Sequence, residues 1–319
     1  MYDTILLKKV LDGDYNTFRR VINSLERPAE ISTINTGAIP INSDPSVIGF
    51  LGGLKFHVTP YRLFLKGGSL GKWYLGDNLQ CMTRRDTEQA FEKLSDSLHT
   101  DMSKADVTRL DIAQNFILRH PPEVYLNHFG ALDKAARLEQ QPNGLYYRHN
   151  RDPKWELVFY DKIKELKRHI PELYKNQNVL RYEYRLMNNV AKQMRMQAVL
   201  GASLYEEDFY MKIIDMWEAN YFKIEKNKDI TPNLSKMGTK RDFYNLCILL
   251  AMKERGGEYA FLQEIKEVQS KGWITNKLAH DIRKAVKEAI EQAPPEQMQT
   301  NEAIEELDKK IKDAARYYR

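Results

Sequence analysis

Apolar and polar positions alternate in three separate segments of this chain. They are Val107–Phe116 (VTRLDIAQNF), Glu156–Glu165 (ELVFYDKIKE) and Val179–Leu186 (VLRYEYRL). Successive side chains of a strand point to opposite faces. The pattern therefore predicts three strands. Arg109 and Asp111 share a face of the first, Tyr160 and Lys162 of the second, and Arg181, Glu183 and Arg185 of the third.

Other segments read with the same rules. Asp3–Val10 (DTILLKKV) is a strand, and GLKFHV and YRLFLKGG form two successive strands around Thr59-Pro60. Ile34–Ser46 is loop-like, and KGGSLGKWYLGDN is a glycine-rich loop. Asp86–Met102 is a helix capped by Asp86 with Gln89 as its capping-box partner and Ala90, Phe91, Leu94 and Leu98 as its apolar stripe. Pro121-Pro122 open a helix that runs through Tyr125 and Phe129, and GLYYRHN pairs with ELVFYDK. Beyond about residue 188 helical spacing takes over, in 203–222, 240–254, 280–292 and 302–319, with a break at Pro294-Pro295. The expected class is α+β: a mixed, mainly antiparallel sheet with packed helices over 1–200, then a helical domain over 201–319.

Composition adds bounds. With 42% hydrophobic and 11% aromatic residues among 319, the chain can build a packed core. Lys+Arg (49) exceed Asp+Glu (44), which suits a polyanionic partner without requiring one. Cys81 and Cys247 are too few and too far apart for a disulfide scaffold or a cysteine-rich zinc site. The start MYDTILLKKV lacks the features of a signal peptide, and no stretch reaches the length of a membrane span. A soluble cytoplasmic protein is expected.

The polar residues of the strands supply the candidate chemistry. A tyrosine hydroxyl becomes a nucleophile when a base or a positive charge favours its phenolate, so Tyr160 is a candidate nucleophile with Lys162 as its stabilising charge. Asp111 and Glu183 are mid-strand acids whose oxygens suit Mg²⁺ or Mn²⁺; they read equally well as partners in buried ion pairs with Arg109 and Arg181. Arg109, Arg181 and Arg185 are candidate phosphate contacts. His57 is a possible lone metal ligand, and no His-apolar-His pair accompanies it. The glycine-rich loop is not a Walker loop, but Lys66 and Lys72 could hold phosphate and Trp73 could stack on an unpaired base. Acids, a tyrosine and bases are the parts needed to break and rejoin a nucleic-acid backbone.

The order of these segments resembles the phage and plasmid replication initiators of the filamentous-phage gene II/X type. The loop LKGGSLGKWYLGDN, the helix TEQAFEKLSDSL and the motifs Arg109-Leu110-Asp111, Tyr160-Asp161-Lys162 and Arg181-Tyr182-Glu183-Tyr184-Arg185 follow one another as in that family, over roughly residues 50 to 190. The resemblance implies a nickase and strand transferase that opens origin DNA for rolling-circle replication. Tyr160 would be its nucleophile, with a 5′-phosphotyrosine intermediate. Host helicase and polymerase would extend the free 3′ end. A second initiator and relaxase family with a similar pattern implies an acid-bound metal. It also implies a nucleophile one strand earlier, at Tyr146 or Tyr147, of which Tyr147 is the second choice. The rival reading is a non-catalytic DNA-binding replication regulator on the same scaffold. The helical region would serve origin recognition, dimerisation or a host contact.

Overall fold

All three alternating segments become neighbouring strands of one sheet. A computed structural model describes residues 1–26, 46–77, 79–140, 144–149, 154–166, 170–231, 235, 237–294 and 298–319. The strands of its large sheet are β1 (Tyr2–Val10), β2 (Val47–Leu51), β3 (Leu54–Thr59), β4 (Arg62–Gly67), β5 (Asp106–Leu118), β6 (Ala135–Gln140), β7 (Gly144–His149), β8 (Trp155–Asp161) and β9 (Asn178–Leu186). They form a nine-stranded sheet in the order β2-β3-β4-β1-β5-β9-β8-β7-β6. Each neighbouring pair is antiparallel. The fold is α+β, as the pattern predicts. The edge strands β2 and β6 escape sequence reading because they are short and lack clean alternation. Most of the loop expected over Ile34–Ser46 lies outside the described residues, as does Pro295.

The helices are α1 (Tyr15–Asn23), α2 (Leu70–Leu75), α3 (Arg84–Leu98), α4 (Pro122–Asn127), α5 (Lys162–Leu166), α6 (Val190–Gln193), α7 (Glu207–Phe222), α8 (Lys240–Glu254), α9 (Glu258–Ser270), α10 (Asn276–Gln292) and α11 (Glu302–Tyr318). Two starts differ from expectation. Thr83, not Asp86, caps α3; its hydroxyl accepts from the Asp86 N–H while the Asp86 carboxylate accepts from the Thr83 N–H. Asp86 is therefore the acidic partner of the capping box rather than its head. The glycine-rich segment is not all loop. Ser69 caps the short α2 by accepting from the Lys72 N–H, and Gly76 ends it at φ 92°.

One sheet face is apolar. Leu110, Ile112 and Phe116 of β5, Leu157 and Phe159 of β8, and Leu180, Tyr182 and Tyr184 of β9 are buried there. Helix α7 lies against these residues through aromatic contacts. Trp217 stacks on Tyr182 with ring centres 5.0 Å apart, and Tyr182 stacks on Phe159 at 4.6 Å. The Tyr182 hydroxyl donates to the Trp217 carbonyl at 2.9 Å. Tyr221 of α7 bonds Asp308 of α11, and Tyr318 of α11 bonds Gln114 of β5. Two helices from beyond residue 200 thus belong to the core of the sheet. A separate small core around Ile230, Leu249, Met252 and Val286 joins α8 to α10. Among the described residues no helix is long and apolar enough to cross a membrane.

Gly201 marks the tightest approach of the chain leaving the sheet. A Cβ there would sit 2.4 Å from the Phe91 ring and 2.7 Å from the Met102 carbonyl oxygen. Gly201→Ala should therefore lower the unfolding free energy by about 1–3 kcal/mol, the usual cost of overpacking. A urea titration followed by tryptophan fluorescence reads this directly.

Candidate functional site

The second face of the sheet is polar where β5, β9, β8 and β7 meet. Residues directly opposite one another on neighbouring strands share a face. The register sets Asp111 opposite Arg185, Arg185 opposite Glu156, and Glu156 opposite Arg148. Acid and base therefore alternate across four strands. The next row holds Ala113, Glu183, Val158 and Tyr146, and the row after it holds Asn115, Arg181 and Tyr160.

The contacts are short. Arg109 grips Asp111 with two bonds, Nε to Oδ1 at 2.9 Å and Nη2 to Oδ2 at 2.7 Å. Arg185 Nε donates to Glu183 Oε2 at 2.7 Å, and its guanidinium lies 3.7 Å from Glu156 and 4.0 Å from Asp111. Arg181 Nε donates to Glu183 Oε1 at 2.6 Å, and its Nη2 pairs with Asp3 at 2.9 Å. Arg148 Nε donates to Glu156 Oε1 at 2.6 Å. The Tyr160 hydroxyl donates to Glu183 Oε1 at 2.8 Å. The Ser69 hydroxyl donates to Asp3 at 2.8 Å, which ties the head of α2 to the cluster.

Asp111, Glu156, Arg181 and Glu183 are buried. Buried charge persists only when paired and hydrogen-bonded. Burial pushes the Glu183 carboxyl up, but Arg181 and Arg185 outweigh it and hold it at about 2. Burial pushes Asp111 up to about 6, against the pull of Arg109. Burial, reinforced by the Glu183 charge, drives the Tyr160 hydroxyl well above the ordinary tyrosine range. Tyr160 is thus a neutral donor, and Glu183 is an anion with its proton affinity suppressed.

The structure brings Tyr160, Asp111, Glu183, Arg109, Arg181 and Arg185 together, and parts from expectation elsewhere. Lys162 does not share a strand face with Tyr160. Asp161 accepts from the N–H groups of Ile163 and Lys164, which turns the chain into α5 with Lys162 as its first residue. Its ammonium still lies 5.8 Å from the Tyr160 ring centre, paired with Glu165 at 2.8 Å. Tyr147 points to the opposite face, buried in the core, and its hydroxyl donates to the Gly130 carbonyl at 2.8 Å. Its neighbour Tyr146 is the one on the polar face. His57 is on β3, three strands from β5, or about 14 Å at the usual spacing. It stacks on Phe64 instead of meeting the acids. Lys66 lies over the Phe64 ring, Lys72 is exposed on α2, and Trp73 rests beneath the Lys93 ammonium.

Sequence reading missed Glu156, Arg148, Asp3 and Ser69. Glu156 was within reach: it is four residues before Tyr160 in the same alternation. Asp3 and Ser69 carry no local signal, because only the placement of β1 beside β5 brings them in.

Arg181 holds two carboxylates at once, so Arg181→Met should leave the half-buried Asp3 without its arginine and the buried Glu183 with Arg185 as its one remaining cation. The expected loss is about 3–5 kcal/mol of unfolding free energy. Denaturant unfolding at pH 7 measures it; a loss below about 1 kcal/mol would mean that the cluster does not depend on this residue.

A search of curated proteins finds no significant match to the chain. The sequence model of a family of replication-associated proteins, built on the N-terminal part of the phage gene II protein, matches residues 57–219. That span holds every member of the polar cluster except Asp3. The chain therefore belongs to this family of replication-associated proteins and is a replication initiator of the filamentous-phage gene II kind.

Proposed function

We propose that the protein nicks and rejoins one strand of origin DNA through a phosphotyrosine link, with Tyr160 as the nucleophile. The observation that carries this reading is the 2.8 Å hydrogen bond from the Tyr160 hydroxyl to Glu183, on the face that also holds Arg109, Arg181 and Arg185. In the proposed step the Tyr160 oxygen attacks phosphorus and its proton passes to Glu183. The bond from phosphorus to the 3′ oxygen breaks, and that oxygen takes a proton from water and leaves as a hydroxyl. Glu183 is a weak base while two arginines hold it. An incoming phosphate competes for those arginines and so restores the basicity of the carboxylate. Rejoining runs the same steps in reverse, and extension of the 3′ end falls to a host polymerase with a helicase.

Asp111 and Glu183 offer oxygen donors that suit Mg²⁺ or Mn²⁺, and such an ion would supply positive charge to the phosphate. Each carboxylate is already engaged by an arginine, and among the described residues no group of three acid, histidine or cysteine side chains is set to hold a metal. The same self-neutralised network is what favours the rival reading, a regulator that binds origin DNA without cutting it.

Supercoiled DNA carrying the cognate origin tests both. Wild type, Tyr160→Phe, Tyr146→Phe and Tyr147→Phe would be compared with Mg²⁺, with Mn²⁺ and with a chelator, and the products probed for a covalent protein–DNA adduct. Nicking and adduct should vanish in Tyr160→Phe. Tyr147→Phe should nick normally while losing about 1 kcal/mol of stability with its buried hydrogen bond. Loss confined to Tyr146→Phe would move the nucleophile to β7, and nicking that survives the chelator would remove the metal. Origin binding by wild type without any nick would establish the regulator.

A further inference from the structure

The two halves of the polar sheet face differ in charge. On the β5–β7 side each arginine of the cluster is engaged by a carboxylate. On the β1–β4 side Lys8, Lys55, Arg62 and Lys66 face the same way, and none has an ion-pair partner among the described residues. Residues 47–67, which make β2, β3 and β4, contain no Asp or Glu.

Aromatic rings lie between these cations. Opposite-residue pairing sets Ile48 beside His57, His57 beside Phe64, and Phe64 beside Lys8. His57 stacks on Phe64 with centres 6.0 Å apart and planes at 18°. The Lys66 ammonium sits 4.4 Å from the Phe64 ring centre. A parallel row sets Phe50 beside Lys55. The His57 Nε2 is buried without a hydrogen-bond partner among the described residues. Buried polar atoms are rarely left so.

The platform is continuous with the candidate site. Leu6 of β1 lies opposite Arg109 of β5, and Arg109 holds Asp111. From β2 to β5 the face spans four strand spacings, or about 19 Å.

We infer that the β2-β3-β4-β1 face is a docking platform for unpaired DNA, which stacks bases on His57, Phe64 and Phe50 and holds phosphates with Lys8, Lys55, Arg62 and Lys66. The inference rests on the reading that this protein acts on DNA. Unpaired cations track a backbone, and half-exposed rings accept bases only when those bases are not paired to a complement. The platform delivers the strand past Arg109 to the Tyr160 cluster. It also gives His57 a role in DNA contact instead of metal binding.

Fluorescence anisotropy of a labelled oligothymidylate, and of a duplex of equal length, over a salt series tests the platform. Phe64→Leu keeps an apolar side chain but removes the ring; it should weaken single-strand binding about ten-fold, within the range for one lost base stack. Duplex binding should change less than about two-fold. Lys55→Gln with Lys66→Gln, both exposed, should lower the slope of log affinity against log salt by roughly 1.4, about 0.7 for each lost phosphate contact. This surface pair keeps the inference testable if Phe64→Leu fails to fold, which thermal unfolding would reveal. Unchanged binding in the variants, or equal loss on duplex and single strand, would overturn it, as would a wild type that binds neither. Nicking of origin DNA is scored on the same proteins. A wild type that binds unpaired DNA through these residues but never nicks would sink the nickase and leave the platform standing. Variants that bind and nick like wild type would do the reverse.

Discussion

Charge compensation at Glu183 is the constraint on which the polar face depends. A carboxylate with 2% of its surface exposed survives as an anion only because Arg181 and Arg185 reach it from two residues away on either side. Those arginines are themselves buried or half-buried, and each reaches on to a further acid, Asp3 or Glu156. Five strands are therefore tied into one electrostatic unit. A slip of one residue between β5 and β9 would flip the acids into the apolar face, so the ion pairs and the aromatic stack on Trp217 enforce the same register. Apolar residues of equal volume would often be as stable as such pairs. The cluster is thus poorly explained by stability alone and well explained by a need for charge at this place.

Alternation made the three central strands legible, and with them the convergence of Asp111, Tyr160, Glu183 and the arginines. Helical spacing likewise predicted α8, the C-terminal helix and the apolar stripe of α3. What it could not give was parity at strand ends and neighbours distant in sequence. Tyr146 and Tyr147 are adjacent, and only the register of β7 on β8 decides which faces the acids. Lys162 obeys the alternation, but the capping carboxylate of Asp161 stops the strand just before it. Asp3 joins the site because β1 is inserted between β4 and β5, a pairing across about a hundred residues that no local pattern encodes. Helices α7 and α11 read as amphipathic from sequence, yet nothing local says which core their apolar faces meet.

The two halves of the face differ in how their charges are balanced. Around Tyr160 the charges are matched and held, which preorganises them but leaves little free attraction for a polyanion. Across β2 to β4 the cations have no ion-pair partner among the described residues and lie beside half-exposed rings.

The central position of β1 bears on how this protein can be dissected. The residues that match the family run from 57 to 219, and β1 (Tyr2–Val10) lies outside them although it sits mid-sheet. A fragment trimmed to that span would lose more than the edge strand β2 and the start of β3; it would also lose the seam. β4 and β5 would each present a row of unpaired backbone groups, the sort of surface that recruits other chains. Arg181 would lose Asp3 in the same cut. The smallest piece able to hold this site is therefore set by the weave of the sheet and not by the stretch of recognisable sequence.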